Sequence, residues 1–359
     1  MKILSPVDHP DEVASLVEAG ADELFCGLTS DRWLSRYTIA AVSRRSARIA
    51  NLESLDLLGK TVALAHERGV PVCLAVNEHY YTQAQQAWLL EHVGDALALG
   101  IDALIIADPA LLLTLRKAGV RSELHLSTGT TILNSEAARF FADLGVSRVT
   151  LERQQTVGEI EALVRKTPGL ETAVFVLNGR CPNIDGLCTF DHTQLPGEAF
   201  KNACMVPCRV RCHAAGSPSD PDDRCGAEDG AGAVQPSTGA GASAVSVADE
   251  AARVAPVVRQ QVWQRHHMDD SPCGACALHD FDRIGVTHLK IVGRGNTTRR
   301  KIADLRFIRS LVTLASSSGV SRKRFRESAR LLHSHLTQRP CRAVHCYYPE
   351  LLPRSARRA

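Results

Sequence analysis

Short apolar runs alternate with amphipathic stretches along most of the chain. Eight runs are candidate strands: Lys2–Pro6, Glu23–Leu28, Pro71–Asn77, Ala103–Asp108, Glu123–Ser127, Arg148–Arg153, Thr172–Asn178 and His288–Arg294. Each is short and rich in Val, Ile, Leu or Phe, the pattern of a strand buried on both faces. Between them, Asp11–Ala19, Leu55–Arg68, Gln83–Leu99, Pro109–Lys117, Ser135–Leu144 and Val157–Lys166 carry helical spacing, and Arg300–Ala315 follows the last run. Gly20, Gly69, Gly100, Gly119 and Gly145 stand where helix C-caps belong. Glu-Ala-Gly-Ala-Asp, Ala-Leu-Gly-Ile-Asp and Asp-Leu-Gly-Val-Ser repeat one helix-to-strand junction.

Eight strands alternating with helices predict a closed (β/α)8, TIM-like barrel, with a doubly wound open sheet as the alternative. In such a barrel function gathers where strands end. Those positions hold Cys26, Asn77, Asp108, Ser127, Thr128, Glu152, Arg153, Asn178 and Arg294. Asp108 precedes Pro109 and is expected to cap the following helix. About a hundred residues separate the seventh and eighth strands, and Ala214–Ala252 is dominated by Ala, Gly, Ser, Pro and Asp. That composition cannot bury a core and reads as a flexible insertion. The expected layout is therefore 1–213 for seven βα units and a cysteine-rich loop, 214–258 for the insertion, 259–318 for the last βα unit, and 319–359 for a basic helical C-terminal extension.

The 359 residues are 45% apolar and 23% charged, enough to bury a large core. No run of eighteen apolar residues suggests a membrane span. Asp8, His9 and Asp11 interrupt the start where a signal peptide would be apolar, so a cytoplasmic location is expected. In a reducing compartment, twelve cysteines point to metal or redox chemistry rather than disulfides. Charge is uneven. From Gly319 onward ten Lys/Arg face two Glu, a net of +8, which leaves −5 on the rest of a chain of formal charge +3. A solvated helix face explains this, and so does an anionic partner such as RNA. Aromatics are only 5%, too few for an extended base-stacking platform.

Cys181, Cys188, Cys204, Cys208 and Cys212 fall in one window that opens at the end of the seventh strand, and Cys273 and Cys276 precede the last βα unit. Cys73 lies within a strand and reads as a core residue. Four thiolates brought together by loops suit an iron–sulfur cluster, and zinc accepts the same donors. Cys273-Gly-Ala-Cys276 is also a C-x-x-C, although no thioredoxin-like context surrounds it.

The stretch Val174-Phe-Val-Leu-Asn-Gly-Arg-Cys181-Pro-Asn-Ile-Asp-Gly-Leu-Cys188 resembles the peptidase U32 family. So do Ala203-Cys204-Met-Val-Pro-Cys208-Arg209, Cys276-Ala-Leu and Ile284-Gly-Val-Thr-His-Leu-Lys-Ile-Val-Gly-Arg294. N-terminal blocks such as Glu18-Ala-Gly-Ala-Asp and His125-Leu-Ser-Thr-Gly also match in order, and the resemblance covers roughly Met1 to Ala315. The resemblance implies an iron–sulfur protein of oxygen-independent hydroxylation, similar to the paired proteins of anaerobic ubiquinone synthesis and to RNA pyrimidine hydroxylases, with prephenate as the oxygen source. It assigns a [4Fe–4S] cluster to Cys181, Cys188, Cys204 and Cys276, with Cys208 and Cys273 as alternates. Despite the family name we expect no peptidase: the chain contains neither Gly-x-Ser-x-Gly nor His-Glu-x-x-His. In one departure, Val292 replaces a carboxylate of the family's Lys-Ile-Glu-Gly-Arg block.

Arg153 and Arg294 are candidate clamps for an anionic donor, with a rim salt bridge as the competing role. His125 is a candidate proton donor, set against a hydrogen-bonded core histidine. Lys290 turns inward or outward with one residue of register and is left aside. His345-Cys346-Tyr347-Tyr348 is expected to pack the extension back on the barrel. The leading expectation is a hydroxylase of an aromatic or heteroaromatic small molecule. A scaffold subunit working with a paralogous U32 partner, and an RNA pyrimidine hydroxylase, stand behind it.

Overall fold

In the computed structural model, eight parallel strands close on themselves in sequence order: β1 (Lys2–Pro6), β2 (Glu23–Cys26), β3 (Val72–Val76), β4 (Ala103–Ile106), β5 (Glu123–Leu126), β6 (Arg148–Thr150), β7 (Glu171–Leu177) and β8 (His288–Ile291). The structure describes residues 1–29, 31–35, 40–43, 50–179, 184–187 and 272–353. The barrel closes through Lys2↔His288, Ile3↔Leu289 and Leu4↔Lys290. All eight strands lie within the runs read from the sequence or one residue beyond them. The closed barrel, rather than the open sheet, is the fold.

Helices alternate with the strands: α1 (Val13–Glu18), α2 (Leu55–His66), α3 (Gln83–Ala98), α4 (Pro109–Lys117), α5 (Ser135–Asp143), α6 (Val157–Lys166), α7 (Leu278–Ile284) and α8 (Thr298–Ala315). Local chemistry sets their ends. Thr82 with Gln85, and Thr156 with Glu159, form capping boxes, and Asp108 accepts from the Ala110 amide at 2.8 Å. The five junction glycines all have positive φ, which lets the chain reverse from helix into strand.

The insertion expected at 214–258 and the loop cysteines Cys181, Cys188, Cys204 and Cys208 lie outside the described residues. Beyond α8, the extension forms α9 (Arg322–Thr337), which buries Phe325, Ala329 and His333. The segment after it returns to the barrel. Cys346 pairs with Cys273, which itself pairs antiparallel with Leu177 of β7. Tyr347 donates to the Asn178 carbonyl, Tyr348 donates to the Phe175 carbonyl at 3.1 Å, and Glu350 accepts from the Val157 amide at 2.9 Å. The extension is thus part of the fold and covers the C-terminal end of β7.

Candidate active site

Strand parity decides which side chains enter the barrel. On β8, Leu289 and Ile291 belong to the apolar layer under the helices, so His288 and Lys290 turn inward. Leu4, Phe25, Cys73, Ala103 and Ile105 form a small apolar cluster inside the barrel. Polar groups sit on both sides of it, in two layers.

The layer toward the strand N-termini is an ion-pair network. Arg148 donates to Glu23 Oε1 at 2.5 Å and to Glu171 Oε2 at 2.8 Å. Cys73 Sγ donates to Glu23 Oε1 at 3.0 Å, and His288 Nε2 lies 3.4 Å from the other Glu23 oxygen. Burial opposes ionisation of Glu23, but His288 and Arg148 outweigh it and hold the carboxyl well below the usual range. His125 belongs here: Nε2 contacts Glu123 at 3.0 Å, and Nδ1 lies 3.7 Å from Cys73 Sγ. Burial pushes its pKa down, with Glu123 opposing.

The layer toward the C-terminal mouth is built differently. Lys290 Nζ stands 4.8 Å from the centroid of the Phe25 ring and 5.9 Å from that of Phe175. Arg153 lies 3.8 Å from the centroid of the Phe175 ring and pairs with Asp185. Burial, then the positive fields of Arg153 and Arg294, bring the Lys290 pKa down to about 7. Glu152, 3% exposed, is pushed up to about 8 by burial and by Asp185, against the pull of Arg153. A half-charged amine and a protonated carboxylic acid therefore share one barrel mouth at neutral pH. Such groups can take up or release a proton where active sites of this fold lie.

Arg294 is anchored beside them, donating to the Ser43 carbonyl at 2.7 Å and to Asn51 Oδ1 at 3.3 Å. A Cβ on Gly27 would come within 2.1 Å of both Arg294 and Asn51, so a side chain there would have to displace their contact. Asn178 ends β7 in the left-handed region, at φ 63. Bonds to Asp304 and Val292 and from Arg300 hold it there, three residues before Cys181. Val292, in the place of the family's carboxylate, packs against Gly179.

Of the residues expected from the sequence, Arg153 and Arg294 are brought to the mouth around Lys290, whereas His125 lies in the other layer. Cys276 and Cys273 are buried beside the C-terminal end of β7. Burial, with Cys341 adding to it, pushes the Cys276 thiol up to about 11, while Arg330 and Arg326 pull it down. The sequence reading passed over Lys290, Asp185 and the rings of Phe25 and Phe175. The alternation Leu289-Lys290-Ile291, apolar on both sides of a charge, was the signal for Lys290.

An eight-stranded barrel with titratable groups converging at its C-terminal mouth defines a TIM-barrel protein with a candidate site where this fold places its active sites. The chain belongs to peptidase family U32, whose model matches residues 8–348. It is 25% identical over 209 residues to tRNA hydroxylation protein P of Helicobacter pylori, covering 58% of this chain and 46% of that protein. It is 29% identical over 159 residues to the 23S rRNA 5-hydroxycytidine C2501 synthase of Escherichia coli, covering 44% and 23%. A collagenase of Porphyromonas gingivalis is 29% identical over 218 residues, covering 58% and 49%. The chain thus spans half or less of the length of these relatives. Among solved structures, the U32 peptidase Mk0906 matches 49% of this chain and 68% of its own, at 15% identity and a TM-score of 0.37. Among the described residues, no helix is long and apolar enough to cross a membrane.

Proposed function

We propose that this chain is an oxygen-independent hydroxylase of a pyrimidine base in RNA. The observation that carries the reading is family membership over residues 8–348, together with relatives named for tRNA hydroxylation and for 5-hydroxycytidine in 23S rRNA. This moves RNA ahead of the small-molecule substrate that the low aromatic content favoured. The mouth fits it: Lys290 stands between the Phe25 and Phe175 rings as the proton-transfer group, with Arg294 beside it for an anionic group.

Cys181, Cys188, Cys204 and Cys276 would hold the [4Fe–4S] cluster that the family resemblance implies, which supplies one-electron chemistry when bound. An anionic oxygen donor of the prephenate type fits the surplus of positive charge around Lys290. The cytoplasm is the compartment in which such RNA and such thiols meet.

One observation favours a small aromatic substrate instead. Arg322 and Arg326 of the basic extension bind Asp280 at 2.7 and 2.8 Å, so part of its charge is spent within the protein. Nucleoside mass spectrometry of RNA from the native host, with and without the gene, separates the readings. Loss of a hydroxylated pyrimidine, restored by the wild-type gene and not by the Lys290→Met variant, supports RNA. An unchanged nucleoside profile overturns it, and a missing hydroxylated aromatic metabolite would then identify the second reading.

A further inference from the structure

We propose that Asp185 is a positioning residue: it pins the loop that carries Cys181 and Cys188 onto the barrel mouth beside β5 and β6, and so limits where those two thiols can go. The inference rests on the assignment of these cysteines to the cluster. Asp185 comes four residues after Cys181 and three before Cys188, so a contact that fixes it acts on the chain leading to both.

A charge pair, a hydrogen bond and a steric fit seat the turn 184–187. Asp185 forms an ion pair with Arg153, which follows β6, and both side chains are buried, at 5% and 7% exposure. The Asp185 carbonyl accepts from Thr131 Oγ1 at 2.7 Å, in the loop after β5. Gly186 lies against that same loop at φ 84, where a Cβ would run into Thr131 Oγ1 and the Gly129 carbonyl. The turn closes through the Leu187 amide, which donates to the Ile184 carbonyl at 3.1 Å, and the Leu187 side chain faces solvent. The seat is itself held. The Thr131 amide donates to the Thr128 carbonyl at 3.0 Å, and Thr130 Oγ1 donates to the Ala107 carbonyl at 3.2 Å.

A buried ion pair gains little over an apolar pair of similar size, because both charges give up water. What it enforces is register: slipping the loop by one residue would leave Arg153 and Asp185 buried and apart. Arg153 carries the effect inward. Its guanidinium lies 3.8 Å from the centroid of the Phe175 ring, and Lys290 Nζ stands 5.9 Å from the same centroid. The arginine that the sequence suggested as a substrate clamp is therefore engaged by the loop, and it connects that loop to the Lys290 site.

The test uses the full chain in two variants. D185N removes the charge at nearly constant size, and G186A spoils the fit while keeping the charge. Hydrogen exchange is followed by peptide in the chain as purified, and iron and sulfide are measured after anaerobic reconstitution. Both variants should speed exchange in the peptide that holds the Leu187 amide and leave the peptides of β1–β8 at the wild-type rate. Iron per chain should match the wild type, but a chelator should bleach the visible absorption of the cluster about 10–100-fold faster, the usual scale for losing a group that orients metal ligands. If one variant fails to fold, the other decides. Unchanged exchange at 184–187 would overturn the pin. So would faster exchange across the strands as well, which would make the pair an ordinary part of barrel stability. Faster exchange with wild-type bleaching would overturn the link to the thiols. A wild-type chain that takes up no iron would overturn the cluster assignment instead, and exchange would then decide the pin alone.

Discussion

Both polar layers of the barrel bury charge, but they balance it in opposite ways. Toward the strand N-termini every formal charge has a matched neighbour: Arg148 lies between Glu23 and Glu171, and Glu23 also receives Cys73. Toward the mouth, Arg153 pairs with Asp185, but the remaining groups sit by like charge. Lys290 feels Arg153 and Arg294, and Glu152 feels Asp185. Matched burial fixes protonation states, whereas mismatched burial moves them toward neutrality. The first layer is a structural plug and the second is poised for chemistry, on the barrel face where this fold places active sites.

The largest expected effect comes from breaking the matched layer. Arg148→Ala would leave Glu23 buried without its cation, at a cost of about 3–5 kcal/mol. Thermal or denaturant unfolding measures it, and a loss below about 1 kcal/mol would show that the network contributes little. The mismatched layer should respond in reverse. Lys290→Met removes a charge that the interior disfavours, so stability should hold or rise. Hydroxylated product should fall by about 100-fold or more, the usual effect of removing a proton-transfer group. Large destabilisation with activity retained per folded molecule would exchange the roles of the two layers.

The contrast between the layers was only half legible in the sequence. Strands buried on both faces must be apolar runs, and helix ends need glycine, so β1–β8 and the five junctions could be read directly. Side-chain direction could not, because one residue of register turns Lys290 from solvent to core. Asp185 belongs to a loop, and only the folded chain sets it against Arg153. Cys346 pairs with Cys273 across 73 positions of chain, and no local pattern announces that contact. His125 could be read as a proton donor or as a hydrogen-bonded core histidine, and the β5 register sends it inward, toward Cys73.

A smaller effect separates the layers through pH. A carboxyl whose folded pKa is raised binds more protons folded than unfolded between the two values. For Glu152 that window runs from 4.5 to about 8, so stability should fall as pH rises through it. Lys290, lowered from 10.5 to about 7, should make stability rise with pH above 7. Glu152→Gln should therefore flatten the decline, removing a slope of up to about 1.4 kcal/mol per pH unit. Unfolding free energies at several pH values between 5 and 8 measure this, and an unchanged slope would show that Glu152 is ionised across the range. Glu23 contributes in a lower window: its stabilisation is lost only as pH falls below the ordinary carboxylate value.

The smallest change probes whether the plug is inert. Glu23, Cys73 and His125 each place a ligand atom within 4.8 Å of the others, a spacing that a metal ion could use. Arg148 argues against it, since its guanidinium already neutralises Glu23 and would repel a divalent cation at the same oxygens. Burial and the neighbouring Glu23 charge also keep the Cys73 thiol protonated, raised well above its usual value, whereas a metal would need the thiolate. Cys73→Ala should then cost only the thiol's hydrogen bond and a little packing, about 1–2 kcal/mol. Metal content and hydroxylation should match the wild type. If the variant instead loses a bound metal, or loses activity while its unfolding midpoint holds, then the matched layer is itself a site, and charge balance would no longer separate structure from chemistry in this barrel.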